Sequence, residues 1–217
     1  MKIGTPEWND EMYRKHSTPY SGLAGFIEEQ RVKSILKYAD LTPDDRILEV
    51  GCESGKLLFR FPQCREVVGF DISQQALRDA EALFSTNGRE ARFIAGDASK
   101  PLPFTKGYFS VIVCSEMLEH VPDPAACVSA IADIADSQTR VILTVPNERP
   151  KLLIKKILST LGVMRFLFPK IEEEQSEWHL QQFDKKQLES VCRGKLALKS
   201  VSNVLGMHWV ASCRVQS

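Results

Sequence analysis

Charge imbalance is the first thing the chain lacks: 28 Lys and Arg stand against 28 Asp and Glu, a formal net charge of zero. Proteins that grip a phosphate backbone do so through a basic surplus that displaces condensed counterions, so nucleic acid is not an expected partner. Long hydrophobic runs are also missing, and nothing approaches the roughly eighteen consecutive apolar residues of a membrane span. The six cysteines, at 52, 64, 114, 127, 192 and 213, include no Cys-x-x-Cys pair. Residues 1–20 are polar and carry both signs of charge, unlike a secretory signal. Free thiols in a reducing cytoplasm are the expectation. Internal repeats and low-complexity stretches are absent. What remains, 217 residues with 43% hydrophobic content, suffices for one domain with a full core.

Apolar runs alternate with helix-like segments. Strands are predicted at 46–50, 67–71, 92–95, 109–114 and 141–145, with helices between most of them. Ser73 is placed to cap a helix carrying Ala76, Leu77, Ala80 and Leu83, which Asn87-Gly88 closes. Pro62 keeps the helix after Gly55 short, and Pro122 and Pro124 open another. Two strand-like runs, 197–205 and 208–215, end the chain around a turn at Gly206. This order predicts an α/β, doubly wound, mostly parallel seven-stranded sheet of Rossmann-like type, with an antiparallel C-terminal strand and helices on both faces. Residues 1–43 read as an N-terminal lid and helix segment, and 44–217 as the main domain with an insertion at about 148–182.

The motif with most chemistry in it is Glu49-Val-Gly51-Cys52-Glu53-Ser-Gly55 after the first strand, followed by Val-Val-Gly-Phe-Asp71-Ile72-Ser at the end of the second. Glycines after a strand allow close backbone approach to a ligand, and a carboxylate at the next strand tip accepts hydrogen bonds from ribose hydroxyls. A dinucleotide site would show Gly-x-Gly-x-x-Gly; here the sixth position is Lys56, which weakens a nicotinamide oxidoreductase reading. Taken singly, each piece also suits a turn or a helix cap.

In order, these motifs resemble class I S-adenosylmethionine-dependent methyltransferases of the small-molecule branch, over roughly residues 44–147. The resemblance implies S-adenosyl-L-methionine as cofactor, with S-adenosyl-L-homocysteine as product. It implies that Glu49 orients the glycine loop, that Gly51 and Gly55 (with Cys52 and Glu53 between them) approach the methionine end, and that Asp71 holds the ribose. Ile72 would pack on the adenine, Asp97 and Ala98 would read it, and Ser115 and Glu116 would line the sulfonium. Glu53 stands where the family has its central glycine, and Ser110 where an Asp usually opens strand four. Glu53 motivates the alternative of a catalytically silent binding or scaffolding module.

A small-molecule acceptor, through a hydroxyl, carboxyl or activated carbon, is what remains once the Asn/Asp-Pro-Pro-Tyr and Pro-Cys signatures are found missing. A base titrating near neutrality favours histidine, at His120 or at His179 in Trp-His-Leu-Gln-Gln-Phe. No metal is expected, because Glu116, Glu119, Asp123 and His120 lack a facing ligand set. In 151–168, Ile154, Ile157, Leu158 and Leu161 recur at helical spacing among basic residues. That pattern suits a lid helix; it also suits peripheral contact with a membrane and a hydrophobic acceptor. Trp8, Tyr13, His16 and Tyr20 either cover the cofactor or belong to a disordered tail. Monomer and homodimer both remain open.

Overall fold

The computed structural model describes residues 3–16, 22–147 and 180–216. Tyr20, the 151–168 segment and His179 lie outside them. Seven strands form one sheet: β1 (Arg46–Val50), β2 (Glu66–Asp71), β3 (Arg92–Ala95), β4 (Val111–Ser115), β5 (Arg140–Pro146), β6 (Leu196–Val204) and β7 (His208–Val215), ordered β3-β2-β1-β4-β5-β7-β6. The first five pair in parallel, while β7 runs antiparallel to both β5 and β6. The helices are α1 (Pro6–His16), α2 (Gly22–Ala39), α3 (Lys56–Arg60), α4 (Gln74–Thr86), α5 (Pro124–Ile134) and α6 (Lys185–Cys192).

Both faces of the central strands are buried, which is why they read as continuous apolar runs. Alternate residues feed separate layers. Leu48, Ile112, Cys114, Val141 and Leu143 pack with Cys127, Val128 and Ile131 of α5 and Leu188 of α6. Ile47, Val111, Val113 and Ile142 pack with Ile35 of α2, Leu58 of α3 and Leu77 and Phe84 of α4. Each such side chain, fully removed from water, contributes about 1.5–3 kcal/mol.

Helix ends follow local chemistry. Ser73 accepts from the Ala76 N–H to start α4, and Asp123 and Asp184 do the same for α5 and α6. Beyond Asn87, left-handed Gly88 ends α4, with the Gly88 and Arg89 N–H groups donating to Ser85 and Phe84 carbonyls. β4 begins at Val111, two residues later than the sequence suggests. Ser110 is engaged elsewhere, since its hydroxyl donates to Asp45 Oδ1 at 2.6 Å and accepts from the Arg46 N–H at 3.0 Å. Ser110, just before β4, thus pairs with Asp45, just before β1.

Candidate functional site

Parallel strands bring their carboxyl ends to one edge of the sheet, and an antiparallel strand brings its first residue there. The loops after β1, β2, β3 and β4 and the start of β7 therefore share a rim. The 51–55 turn reverses through left-handed backbone at Gly51 (φ 76°), Glu53 (φ 46°) and Gly55 (φ 69°). It is pinned to the end of β2: the N–H groups of Gly51 and Cys52 donate to the Phe70 carbonyl at 2.8 and 3.2 Å, and the Glu53 N–H donates to Asp71 Oδ2 at 2.8 Å. A side chain at position 51 would stand 2.4 Å from Met117 Cγ, so the loops after β1 and β4 meet through that glycine. At Gly55 a Cβ would lie 3.1 Å from Ala80, which gives this glycine a packing role against α4.

Glu53 is a left-handed non-glycine residue, a conformation costing of order 1–3 kcal/mol. Its residue surface is exposed, and its backbone N–H does the binding to Asp71. Asp71 also accepts from the Ser73 N–H at 2.8 Å. Desolvation raises its pKa, against the opposing pull of the Ser73, Glu53 and Ile72 N–H groups. A carboxylate has about four lone-pair positions, so these amide donors still leave room for a hydroxyl donor.

Glu49, 3% exposed, is the most telling group. Its Oε2 is buried with no hydrogen-bond partner among the described residues. Desolvation drives its pKa well above the ordinary value, with Asp71 and Glu53 adding to the rise and Arg31 opposing it. A buried acceptor without a donor costs about 1–3 kcal/mol. Arg31 comes from α2 and is 7% exposed; it forks onto Glu28 and donates to Ser115 Oγ and, at 3.3 Å, to Thr144 Oγ1. Burial works against its charge but is outweighed by Glu116, Glu28 and Glu49, which raise its pKa.

After β4 the chain turns through Glu116 in left-handed conformation (φ 51°). Glu116 Oε1 accepts from Thr144 Oγ1 at 3.0 Å, and Oε2 lies 3.0 Å from His208 Nδ1. Ser115 and Thr144 hydroxyls are 2.9 Å apart. Ser115 and Glu116 are thus brought to the rim but are also engaged by protein partners there. Asp97 accepts from the Ser99 N–H (2.9 Å) and hydroxyl (2.6 Å) in the turn after β3, and Ala98 packs on the core. Cys52 is buried, its thiol pushed up by desolvation. His120 stands in a 3₁₀ turn, Leu118–His120, with Nε2 3.8 Å from Glu119 Oε1. The Leu180 and Gln181 N–H groups donate to the Glu119 carbonyl at 2.8 and 3.2 Å, which docks the chain following His179 beside His120.

The disordered-tail alternative for the amino-terminal segment gives way to α1. Trp8 and Tyr13 are buried, the Tyr13 hydroxyl donates to Asp79 Oδ2 at 2.6 Å, and Asp10 accepts from Ser73 Oγ and from the Gln75 N–H at the start of α4. The sequence reading had no place for Arg31, Thr144 or His208. His208 could have been found: a strand paired antiparallel to β5 must begin at the rim.

Residues 41–205 match the model of the methyltransferase domain family. With three quarters of its length inside that match, the chain belongs to this family, the class I S-adenosylmethionine-dependent methyltransferases. The ubiquinone biosynthesis O-methyltransferase of Bordetella parapertussis is 32% identical over 142 residues, covering 65% of this chain and 59% of that protein. Its namesake from Pseudoalteromonas translucida is 30% identical over 125 residues, 57% of this chain and 53% of that one. The chain therefore spans less than two thirds of the length of these curated relatives. Among solved structures, the [4+2]-cyclase SpnF superposes with a TM-score of 0.76 at 12% identity, covering 99% of this chain and 97% of that one. Magnesium protoporphyrin IX methyltransferase from Synechocystis PCC 6803, with bound S-adenosylhomocysteine, gives 0.66 at 18%, covering 97% and 95%. These two share the fold.

S-adenosylmethionine is the methyl donor of the family, and the rim fits it. A buried carboxylate oxygen without a donor, next to a ring of acidic groups, suits a ligand carrying an ammonium and a sulfonium.

Proposed function

We propose that the protein transfers a methyl group from S-adenosylmethionine to a small, apolar acceptor through one of its hydroxyls. The observation carrying this reading is the orphaned Glu49 Oε2 on a rim shared with Asp71, Glu53 and Glu116, acidic groups suited to a cationic nucleoside. When bound, the cofactor supplies a methyl group already activated by positive sulfur. Glu49 holds the ammonium end, the amides of the Gly51–Gly55 loop approach the same end, and Asp71 takes the ribose hydroxyls. Ile72, Asp97 and Ala98 border the adenine, while Ser115 and Glu116 face the reacting side. His120 borders the acceptor's entrance, and α1 closes the nucleoside side. What the chain itself contributes is chiefly positioning, which supplies roughly 7–11 kcal/mol in well-oriented reactions.

An apolar acceptor is supported by the curated relatives' naming as ubiquinone biosynthesis O-methyltransferases and by the apolar, basic pattern of 151–168. Among the described residues no helix is long and apolar enough to cross a membrane. The six cysteines are free thiols, which supports a cytoplasmic setting. Thermal unfolding with added S-adenosylmethionine or S-adenosylhomocysteine tests the reading. At a hundred times its dissociation constant, a ligand stabilises by about 2.7 kcal/mol. No shift with either compound would refute it.

A further inference from the structure

We propose that Thr144 is a positioning residue: its buried hydroxyl aims the Glu116 carboxylate at the sulfur of the cofactor, so that the site prefers the sulfonium donor over its neutral thioether product. This rests on the methyl-transfer reading above, in which Glu116 faces the reacting side. It goes further by giving a residue that touches neither ligand a part in choosing between them.

The first argument is where a polar side chain has been put. Thr144 sits in β5 between Leu143 and Val145, and all three are 0% exposed. Strand alternation sends Leu143 and Val145 into the layer with α5 and α6, so Thr144 faces the α2 side together with Ile142. In register it stands beside Ser115 of β4 and Val210 of β7. Burying a hydroxyl costs free energy unless it is hydrogen-bonded. This one is crowded with partners: Arg31 Nη1 at 3.3 Å, Ser115 Oγ at 2.9 Å, the Glu116 N–H at 3.2 Å and Glu116 Oε1 at 3.0 Å.

A hydrogen count gives the second argument. A threonine hydroxyl has one proton to donate and two lone pairs to accept with. The Arg31 guanidinium and the Glu116 N–H can only donate, so they occupy the lone pairs. The single proton goes to an acceptor, and an ionised carboxylate is a stronger claimant than the Ser115 hydroxyl, because charge-assisted bonds are roughly twice as strong as neutral ones. Thr144 therefore donates to Glu116 Oε1. The other carboxylate oxygen, Oε2, lies 3.0 Å from His208 Nδ1. The Glu116 N–H also donates to the Thr144 carbonyl at 3.1 Å, so Thr144 grips Glu116 at both its amide and its carboxylate. A left-handed non-glycine residue such as Glu116 (φ 51°) persists only where its surroundings over-determine it, and Thr144 supplies much of that constraint.

The third argument is what a fixed carboxylate in that place can distinguish. S-adenosylmethionine and S-adenosylhomocysteine share adenine, ribose, ammonium and carboxylate; they differ by a methyl group and one positive charge on sulfur. Glu49 and Asp71, at the ammonium and ribose ends, meet the same groups in both compounds. An acid held toward sulfur senses the difference, through an attraction that falls with distance. Released by Thr144 and free to turn away, Glu116 would lose that attraction and little else.

The test measures both dissociation constants by calorimetry, near neutral pH, on the full chain and its variants. Thr144→Val keeps the shape and removes the hydroxyl; it should weaken S-adenosylmethionine about tenfold and S-adenosylhomocysteine by less than about twofold. Thr144→Ser retains the donor and should restore the wild-type ratio of the two constants. Glu116→Gln should show the same selective loss, and adding Thr144→Val to it should change the ratio no further. Thr144→Cys, with a weak donor in place of the hydroxyl, serves where Thr144→Val is too disruptive to fold. A purely structural role would weaken both ligands alike, so equal losses, or no loss at all, overturn the assignment. So does a Thr144→Ser protein that behaves as Thr144→Val does, or a Thr144→Val effect that persists undiminished beside Glu116→Gln. A wild type that binds neither compound overturns the methyltransferase reading instead.

Discussion

At the amino ends of the parallel strands, Asp45 accepts from the Thr42 N–H, Ser110 and Arg140, and Asp136 accepts from Thr139 and the Gln138 N–H. At the carboxyl ends, Glu49 keeps an unpartnered oxygen, while Glu53 and Glu116 hold left-handed backbone. Burial pushes the Asp45 pKa up, but the hydrogen bonds from Ser110, Thr42 and Arg140 outweigh it and the net shift is downward. For Glu49 and Asp71 desolvation wins and the shift is upward. Protein donors satisfy the acids of one edge; at the other, Glu49 keeps one buried oxygen without a donor among the described residues.

Breaking the satisfied edge should have the largest effect. Asp45→Asn strips the charge partner from half-buried Arg140 and weakens the hydrogen bonds to a buried carboxylate, which together cost about 3 kcal/mol. Chemical denaturation should register that loss while cofactor affinity stays within twofold. The pH dependence sharpens the contrast. Asp45, with its lowered folded pKa, contributes stability above the ordinary carboxylate range and loses it as pH falls through the folded value; the variant should lack that acid-side decline.

Asp71→Asn probes the other edge. Two charge-assisted hydrogen bonds to ribose should be weakened, raising the cofactor dissociation constant about 100-fold, or about 2.7 kcal/mol, with unfolding free energy changed by less than about 1 kcal/mol. Glu49→Gln should show a smaller effect of opposite sign on the free protein. A raised folded pKa means that Glu49 supports the fold below its ordinary pKa and ceases to do so as pH rises through the folded value. The variant should therefore melt higher than wild type at pH 8 and equally at pH 4, and bind the cofactor more weakly. Equal melting at both pH values would contradict the assignment of strain to this carboxylate. The smallest change is expected from Glu53→Gly, which relieves left-handed strain and should stabilise by about 1 kcal/mol. Were cofactor binding to appear only in that variant, the silent-module reading would replace the enzyme.

Strand positions were legible because both faces of the sheet are buried, and runs such as Val111 to Cys114 are apolar throughout. The rim motifs were legible because left-handed turns select glycine at 51 and 55. Arg31 was not, since its helix is an imperfect amphipathic pattern that exposes Leu23 and Phe26 while burying a guanidinium. Thr144 is one residue of an apolar strand, and only pairing with β4 puts it beside Ser115. Ser110 looked like a departure from the family and proves to be half of a pair with Asp45, a contact between neighbouring strand starts that a linear motif does not display.

Because β7 runs against its neighbours, it enters at the rim with His208 and leaves at the far edge with Val215, where the Gln216 N–H donates to the Lys195 carbonyl. A tether or reporter fused after β7 would emerge on the quiet side of the molecule, away from both ligands. One attached ahead of α1 would hang beside Pro122, against which Gly4 packs. For immobilising this protein on a sensor, the tail end is the handle to use.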